Sequence, residues 1–188
     1  MIAGGQALVA NQLSNAQGNT IGVLLPGMPN ATKVQKFAPA TKTYTSATYS
    51  TSSGTWLGGS GPSTTLNPGE AAFVQNPTTM ALNLTFIGNV PQGQQANSGL
   101  AATAGQYAFV SSVVPQTLGL DVLNFPAAAG DTVQRWNPAN QAYDAASTFN
   151  GTTWSPSVLV PAAGEGFSVQ SGVSQSRTWT EFLPAGQP

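Results

Sequence analysis

Only six carboxylates are available for acid–base chemistry in this chain: Glu70, Asp121, Asp131, Asp144, Glu165 and Glu181. Two of them stand in matching phrases, "PGEAAFVQ" (Pro68 to Gln75) and "AGEGFSVQ" (Ala163 to Gln170). If those phrases faced each other across a pseudo-twofold, Glu70 and Glu165 would form the kind of pair that cleaves glycosidic bonds. The plainer expectation is that each opens a strand after a glycine turn and accepts hydrogen bonds from nearby backbone N–H groups. A catalytic acid usually comes with other polar groups that tune it. Asp121 and the Gly130-Asp131-Thr132 triplet offer oxygens to Ca²⁺, but nothing resembles an EF-hand or a regular acidic repeat. Asp131 answers to Thr32 in the earlier part of the chain, so a turn held by the Asp side chain is expected. No catalytic residue, metal site or cofactor is assigned.

The inventory narrows the chemistry further. There is no His and no Cys, which removes Ser-His-Asp triads, thiol catalysis, His-ligated haem and structural zinc. Charged residues make up 6% of the chain, against roughly 25% in an ordinary soluble domain. The five basic residues, Lys33, Lys36, Lys42, Arg135 and Arg177, cannot line a phosphate-tracking groove, so nucleic acid is not an expected partner. No run approaches the roughly 20 apolar residues of a membrane helix. The surface must be built from Ser, Thr, Asn, Gln, Ala and Gly, and so lacks the mutual repulsion that keeps most proteins apart. Such an exterior suits packing into an assembly, or contact with neutral, hydroxyl-rich ligands.

Two sets of residues could make such contacts. Trp179, Tyr107 and Tyr49 are candidates for stacking on sugar rings, since aromatic faces beside amides commonly hold neutral carbohydrate. Trp56 and Trp154 recur at matching places and read as core. Trp179 stands apart, because it has no aromatic counterpart when set against Leu84. The second set is an edge for self-assembly: Leu8 and Val9 in "QALVANQL", and Leu82, Leu84 and Phe86 in the alternating "ALNLTFIG". Exposed apolar strands without charged gatekeepers are open to pairing with a neighbour.

The elements that must carry these residues are written twice. "KVQKFAPATKTY" (Lys33 to Tyr44) returns as "TVQRWNPANQAY" (Thr132 to Tyr143), about a hundred residues later. "GGQALVA" is echoed by "GQYAFVS", "SGTWLGG" by "NGTTWSP", and Pro91-Gln92-Gly93-Gln94 by Pro184-Ala185-Gly186-Gln187. With the glutamate phrase this makes an ordered series, which points to a tandem duplication. Frequent Gly and Pro exclude long helices. The opening phrases read as β-hairpins turned at Pro39 and Pro138, with Phe37 near Tyr44 and Trp136 near Tyr143. Single helical turns are expected at Thr20–Pro26 and Leu118–Pro126. The fold class is therefore all-β: two homologous tandem units of small sandwich or barrel type. The first unit is expected at 1–94 and the second at 105–188. A small, polar linker is expected at 95–104.

"LVANQL" (Leu8 to Leu13), "LNPGEAAFVQNP" (Leu66 to Pro77), "FPAAAGDTVQRWNPA" (Phe125 to Ala139) and "GEGFSV" (Gly164 to Val169) mark a resemblance. Through them the chain resembles a duplicated β-rich region of secreted and cell-surface proteins of Verrucomicrobia and related bacteria. The resemblance covers nearly the whole chain. It implies an extracellular or cell-surface location and carries over no catalytic residue. Together these readings predict a non-enzymatic structural protein whose main partner is itself, as filament, layer or matrix. The alternative is a carbohydrate-binding module for a polysaccharide.

Overall fold

The computed structural model describes residues 4–97 and 100–183. It is nearly all β, arranged in three sheets. The first half supplies β1 (Gly5–Ala10), β2 (Lys33–Ala38), β3 (Thr43–Ser50), β4 (Thr55–Leu57) and β5 (Ala71–Asn76). They form one antiparallel sheet in the order β1-β5-β2-β3-β4. A single helical turn, α1 (Ile21–Leu24), precedes β2 as expected. After β6 (Gly93–Asn97), the second half supplies β7 (Tyr107–Val110), β8 (Thr132–Asn137), β9 (Ala142–Tyr143), β10 (Ser147–Phe149), β11 (Trp154–Ser155) and β12 (Phe167–Gln170). These form a sheet in the order β7-β12-β8-β10-β11, with β9 also on β8. The last strand, β13 (Trp179–Leu183), pairs only with β6 and makes the third sheet.

The hairpins form where the period-2 pattern and the Pro-containing turns place them. Phe37 lies opposite Tyr44, and Trp136 opposite Tyr143. Both turns use one non-glycine residue in the left-handed region, Lys42 (φ 56°) and Gln141 (φ 51°). The second helical expectation differs: Leu118–Pro126 is a run of turns, not a helix.

Each sheet covers its own core. Ile21, Leu24, Leu25, Val34, Leu66, Val74 and Trp56 are buried on the first. Leu120, Leu123, Phe125, Val133, Phe167, Val169 and Trp179 are buried on the second. A third, smaller cluster joins the halves: Leu8, Ala10, Ala71 and Phe73, with Phe109 and Trp136 packed against it. Across this joint the backbone makes two isolated antiparallel bridges, Val9 to Glu165 and Glu70 to Val110. The Ala10 N–H donates to Gly164 O at 2.9 Å and the Ser111 N–H to Gly69 O at 3.0 Å. Gly166 sits inside the joint, where a Cβ would lie 2.5 Å from that of Ala71.

The expected linker is in part built into the fold. β6 occupies Gly93–Asn97 and runs in a five-pair ladder with β13. Leu100 and Ala101 are buried in the second core. Its small polar composition is also that of an edge strand, and the partner that orders it lies far along the chain.

Candidate functional site

The two glutamates are spent on their own halves. Glu70 takes the Asn67 N–H at 2.7 Å and pairs with Lys36 Nζ at 2.8 Å. Glu165 takes the Ala162 N–H at 2.7 Å and pairs with Arg135 Nε at 2.5 Å. Each cation reaches a further carbonyl, Lys36 to Thr65 O at 3.0 Å and Arg135 to Val160 O at 2.5 Å. Each carboxylate therefore closes a turn and is neutralised by the neighbouring strand, which is the plainer of the two expectations. Neither is left free to act as an acid or nucleophile.

Of the remaining acids Asp121 and Asp144 are exposed, while Asp131 and Glu181 are buried. Asp131 is fully buried, ion-paired to Arg177, and accepts the Ala128 and Gly172 N–H groups, each at 2.8 Å. It is a turn-holding Asp, as expected, with a cation added. Glu181 is buried without a cation in reach among the described residues. It accepts the Ser112 hydroxyl at 2.6 Å and the Val113 N–H at 2.7 Å. Burial pushes its carboxyl above the ordinary 4.5, while the two hydrogen bonds pull the other way. Among the described residues no group of three or more potential ligands gathers to hold a metal.

The aromatic candidates separate sharply. Trp179 is fully buried, its indole N–H donating to Leu123 O at 2.8 Å and its ring edge-on to Phe125. Aligned on the shared closing Pro91 and Pro184, it falls on Phe86, which packs against the first core. Trp179 is core, not a stacking platform. Tyr49 is buried as well, edge-on to Trp56. Neither presents a face to a sugar. Tyr107 is 42% exposed and remains available.

Tyr107 is not alone. With Phe37, Tyr44, Phe109, Gln134, Tyr143 and Ser168 it lines a groove of about 290 Å³. Phe37 lies 5.0 Å from Tyr44 and 5.3 Å from Phe109, centroid to centroid, and Tyr44 stacks on Phe109 at 6.2 Å. Tyr143 is supported from behind by Trp136 at 5.0 Å. Burial raises the Tyr44 and Tyr143 phenols above their ordinary 10, for Tyr143 with the nearby Tyr44 and Tyr107 acting in the same direction. Both therefore stay protonated. The sequence pairing of Phe37 with Tyr44 and Trp136 with Tyr143 contained the signal for this groove. It could not show that the two hairpins meet.

The proposed assembly edge is redistributed. Leu8 is buried and Val9 bridges Glu165, so β1 is used inside the molecule. Leu82, Leu84 and Phe86 are half-buried against the first core, while Ala81, Asn83, Thr85 and Ile87 are exposed. The alternation is real, but among the described residues the segment belongs to no strand ladder and has only single bridge positions at Leu82 and Asn89. It encodes one-sided burial, not strand pairing. The large apolar groups left outside on the closing segments are Ile87 and Phe182, 73% and 68% exposed.

No helix among the described residues is long and apolar enough to cross a membrane. The chain matches no family model, no curated protein and no solved structure.

Proposed function

We propose that this chain is a non-enzymatic structural module, two homologous units long, that packs with its own kind in an extracellular or cell-surface filament, layer or matrix. The observation that carries the reading is a construction repeated in full. Lys36, Glu70 and the Asn67 N–H in one half correspond to Arg135, Glu165 and the Ala162 N–H in the other. The registers agree as well: Gln35 opposite Phe73 and Gln134 opposite Ser168, Gln6 opposite Gln75 and Tyr107 opposite Gln170. The joint exchanges its partners, Val9 with Glu165 and Val110 with Glu70, as a pseudo-twofold requires.

These features favour duplication of one β unit whose few charges serve its own turns. What remains outside is sparsely charged, with Lys42, Asp121 and Asp144 exposed, and Ile87 and Phe182 at the closing segments are the points of contact. An edge or patch free of charge is open to neighbouring copies. The test is sedimentation and electron microscopy across a wide concentration range. Concentration-dependent growth that is lost in Ile87→Lys/Phe182→Lys is expected. A monomer at every concentration, with no polymer in micrographs, would overturn the reading.

A further inference from the structure

The geometry points to the tyrosine-lined groove between the two hairpins as a binding site for a neutral saccharide. Seven residues line it, and none is charged: Phe37, Tyr44, Tyr107, Phe109, Gln134, Tyr143 and Ser168. That excludes recognition by ion pairing and selects a ligand that is itself uncharged. Tyr44, Tyr107 and Tyr143 are 49%, 42% and 37% exposed, so three phenol rings open to solvent, and two of them, Tyr44 and Tyr143, rest on an aromatic base. A pyranose offers what such a wall lacks: an apolar C–H face for the rings and a rim of hydroxyls for the polar groups. The volume, about 290 Å³, sits at the lower end of small-molecule sites. It suits one or two sugar rings of a longer chain passing through.

The second observation is unspent hydrogen-bonding capacity. Ser168 is only 3% exposed, yet its hydroxyl makes no hydrogen bond among the described residues, and it lines the groove. The Tyr44, Tyr107 and Tyr143 hydroxyls likewise have no partner there. Unlike Thr32 Oγ1 and Arg177 Nε, the Ser168 hydroxyl oxygen is not sealed from solvent, so it opens to the groove, where a ligand hydroxyl can take the place of water.

The other side of the joint shows what a closed version looks like. By the echoes, Tyr107, Gln134 and Ser168 correspond to Gln6, Gln35 and Phe73. There Gln6 Nε2 donates to Gln35 Oε1 at 3.1 Å, and Gln141 exchanges hydrogen bonds with the Gln6 backbone at 2.7 and 2.9 Å. The Trp136 indole N–H also donates to Gln6 O at 2.9 Å. Polar side chains satisfy one another on that side; on this one Gln134 Nε2 donates to Asp144 O at 3.2 Å, while the Tyr107 and Ser168 hydroxyls have no partner among the described residues. This contrast rests on the duplication reading; the groove and its free hydroxyls do not.

The test uses the whole chain in affinity electrophoresis through gels containing dextran, xylan, mannan, laminarin or pullulan. Isothermal titration with the matching oligosaccharide follows any retardation. Retardation by at least one glycan is expected, insensitive to added salt. Tyr107→Ala should weaken the titrated affinity about tenfold, and Ser168→Val, which fills the pocket floor, should do the same. Gln6→Ala on the closed side should leave it unchanged. Thermal unfolding of each variant separates lost binding from lost fold. If Tyr107→Ala fails to fold, the milder Tyr107→Gln, the residue type found on the closed side, replaces it. No retardation by any glycan overturns the proposal, as does binding that survives both groove variants. So does a Tyr107 variant that changes only self-association, which would make a second copy the occupant.

Discussion

At the scale of residues, the few charges placed in the interior decide where substitutions cost most. Asp131 and Arg177 are ion-paired in the interior of the second half, with Arg177 also donating to Pro126 O and Ser171 Oγ. In the first half the Thr32 hydroxyl is buried without a partner among the described residues. Removing one member of a buried pair leaves the other charge uncompensated, at about 3–5 kcal/mol. Arg177→Leu should therefore be strongly destabilising, and adding Asp131→Thr should recover part of the loss. Urea unfolding checks this; a double variant weaker than Arg177→Leu alone would refute it. Glu181 gives a pH-dependent case. Its folded pKa is raised, so its contribution to stability is full below 4.5 and is lost as pH rises through the folded value. In Glu181→Gln the amide oxygen can keep the Val113 N–H while the NH₂ donates to Ser112, whose own proton goes to Val114 O. The variant should melt with the wild type at pH 4 and above it at pH 8. Equal melting temperatures at both values would count against a buried, cation-free carboxylate.

At the scale of elements, the hairpins show what local sequence can encode and where it stops. Both turns require a left-handed residue, which costs a non-glycine side chain about 1–2 kcal/mol. Lys42 makes no side-chain hydrogen bond, so Lys42→Gly should be neutral or slightly stabilising once the added freedom of the unfolded chain is counted. Gln141 binds Pro138 O and the Gln6 backbone, so Gln141→Gly should lose roughly 1–2 kcal/mol despite the relieved backbone. Thermal unfolding of the pair distinguishes a turn from a turn that also ties two halves together. The hairpins were legible because periodicity, turn chemistry and partner all lie within a dozen residues. In the segment from Ala81, alternation reports which side is buried, not whether a neighbour pairs. β6 is not legible locally because its partner, β13, lies more than eighty residues away. Of the sugar-stacking candidates, Tyr107 emerged in the groove, while Trp179 and Tyr49 went to the cores. Aromatic type marks all three alike, and only tertiary burial divides them.

At the scale of the whole molecule, the boundary between the halves can be placed by asking what β13 needs. Every strand in the second half except β13 is paired within residues 107–170. β13 has β6 alone, and with it come Leu100 and Ala101 in the second core and the Asn97 amide, which donates to Gly69 O and Ser111 O. The second unit is therefore physically complete only if it starts near Gly93, before the small polar stretch rather than after it. A fragment beginning at Gly105 loses the whole β13 ladder and lacks Leu100, leaving its place in the second core empty. That side chain alone represents about 1.5–3 kcal/mol, against a total stability near 5–10 for a domain of this size. A fragment beginning at Gly93 keeps both. The two pieces expose the same joint surface of Phe109 and Trp136, so their difference isolates the contribution of β6. Urea unfolding should show a cooperative transition for the piece from Gly93, and a much lower midpoint or none for the piece from Gly105. Equal midpoints would mean that β6 is an ornament on a unit already complete, and that the halves divide where composition alone would divide them.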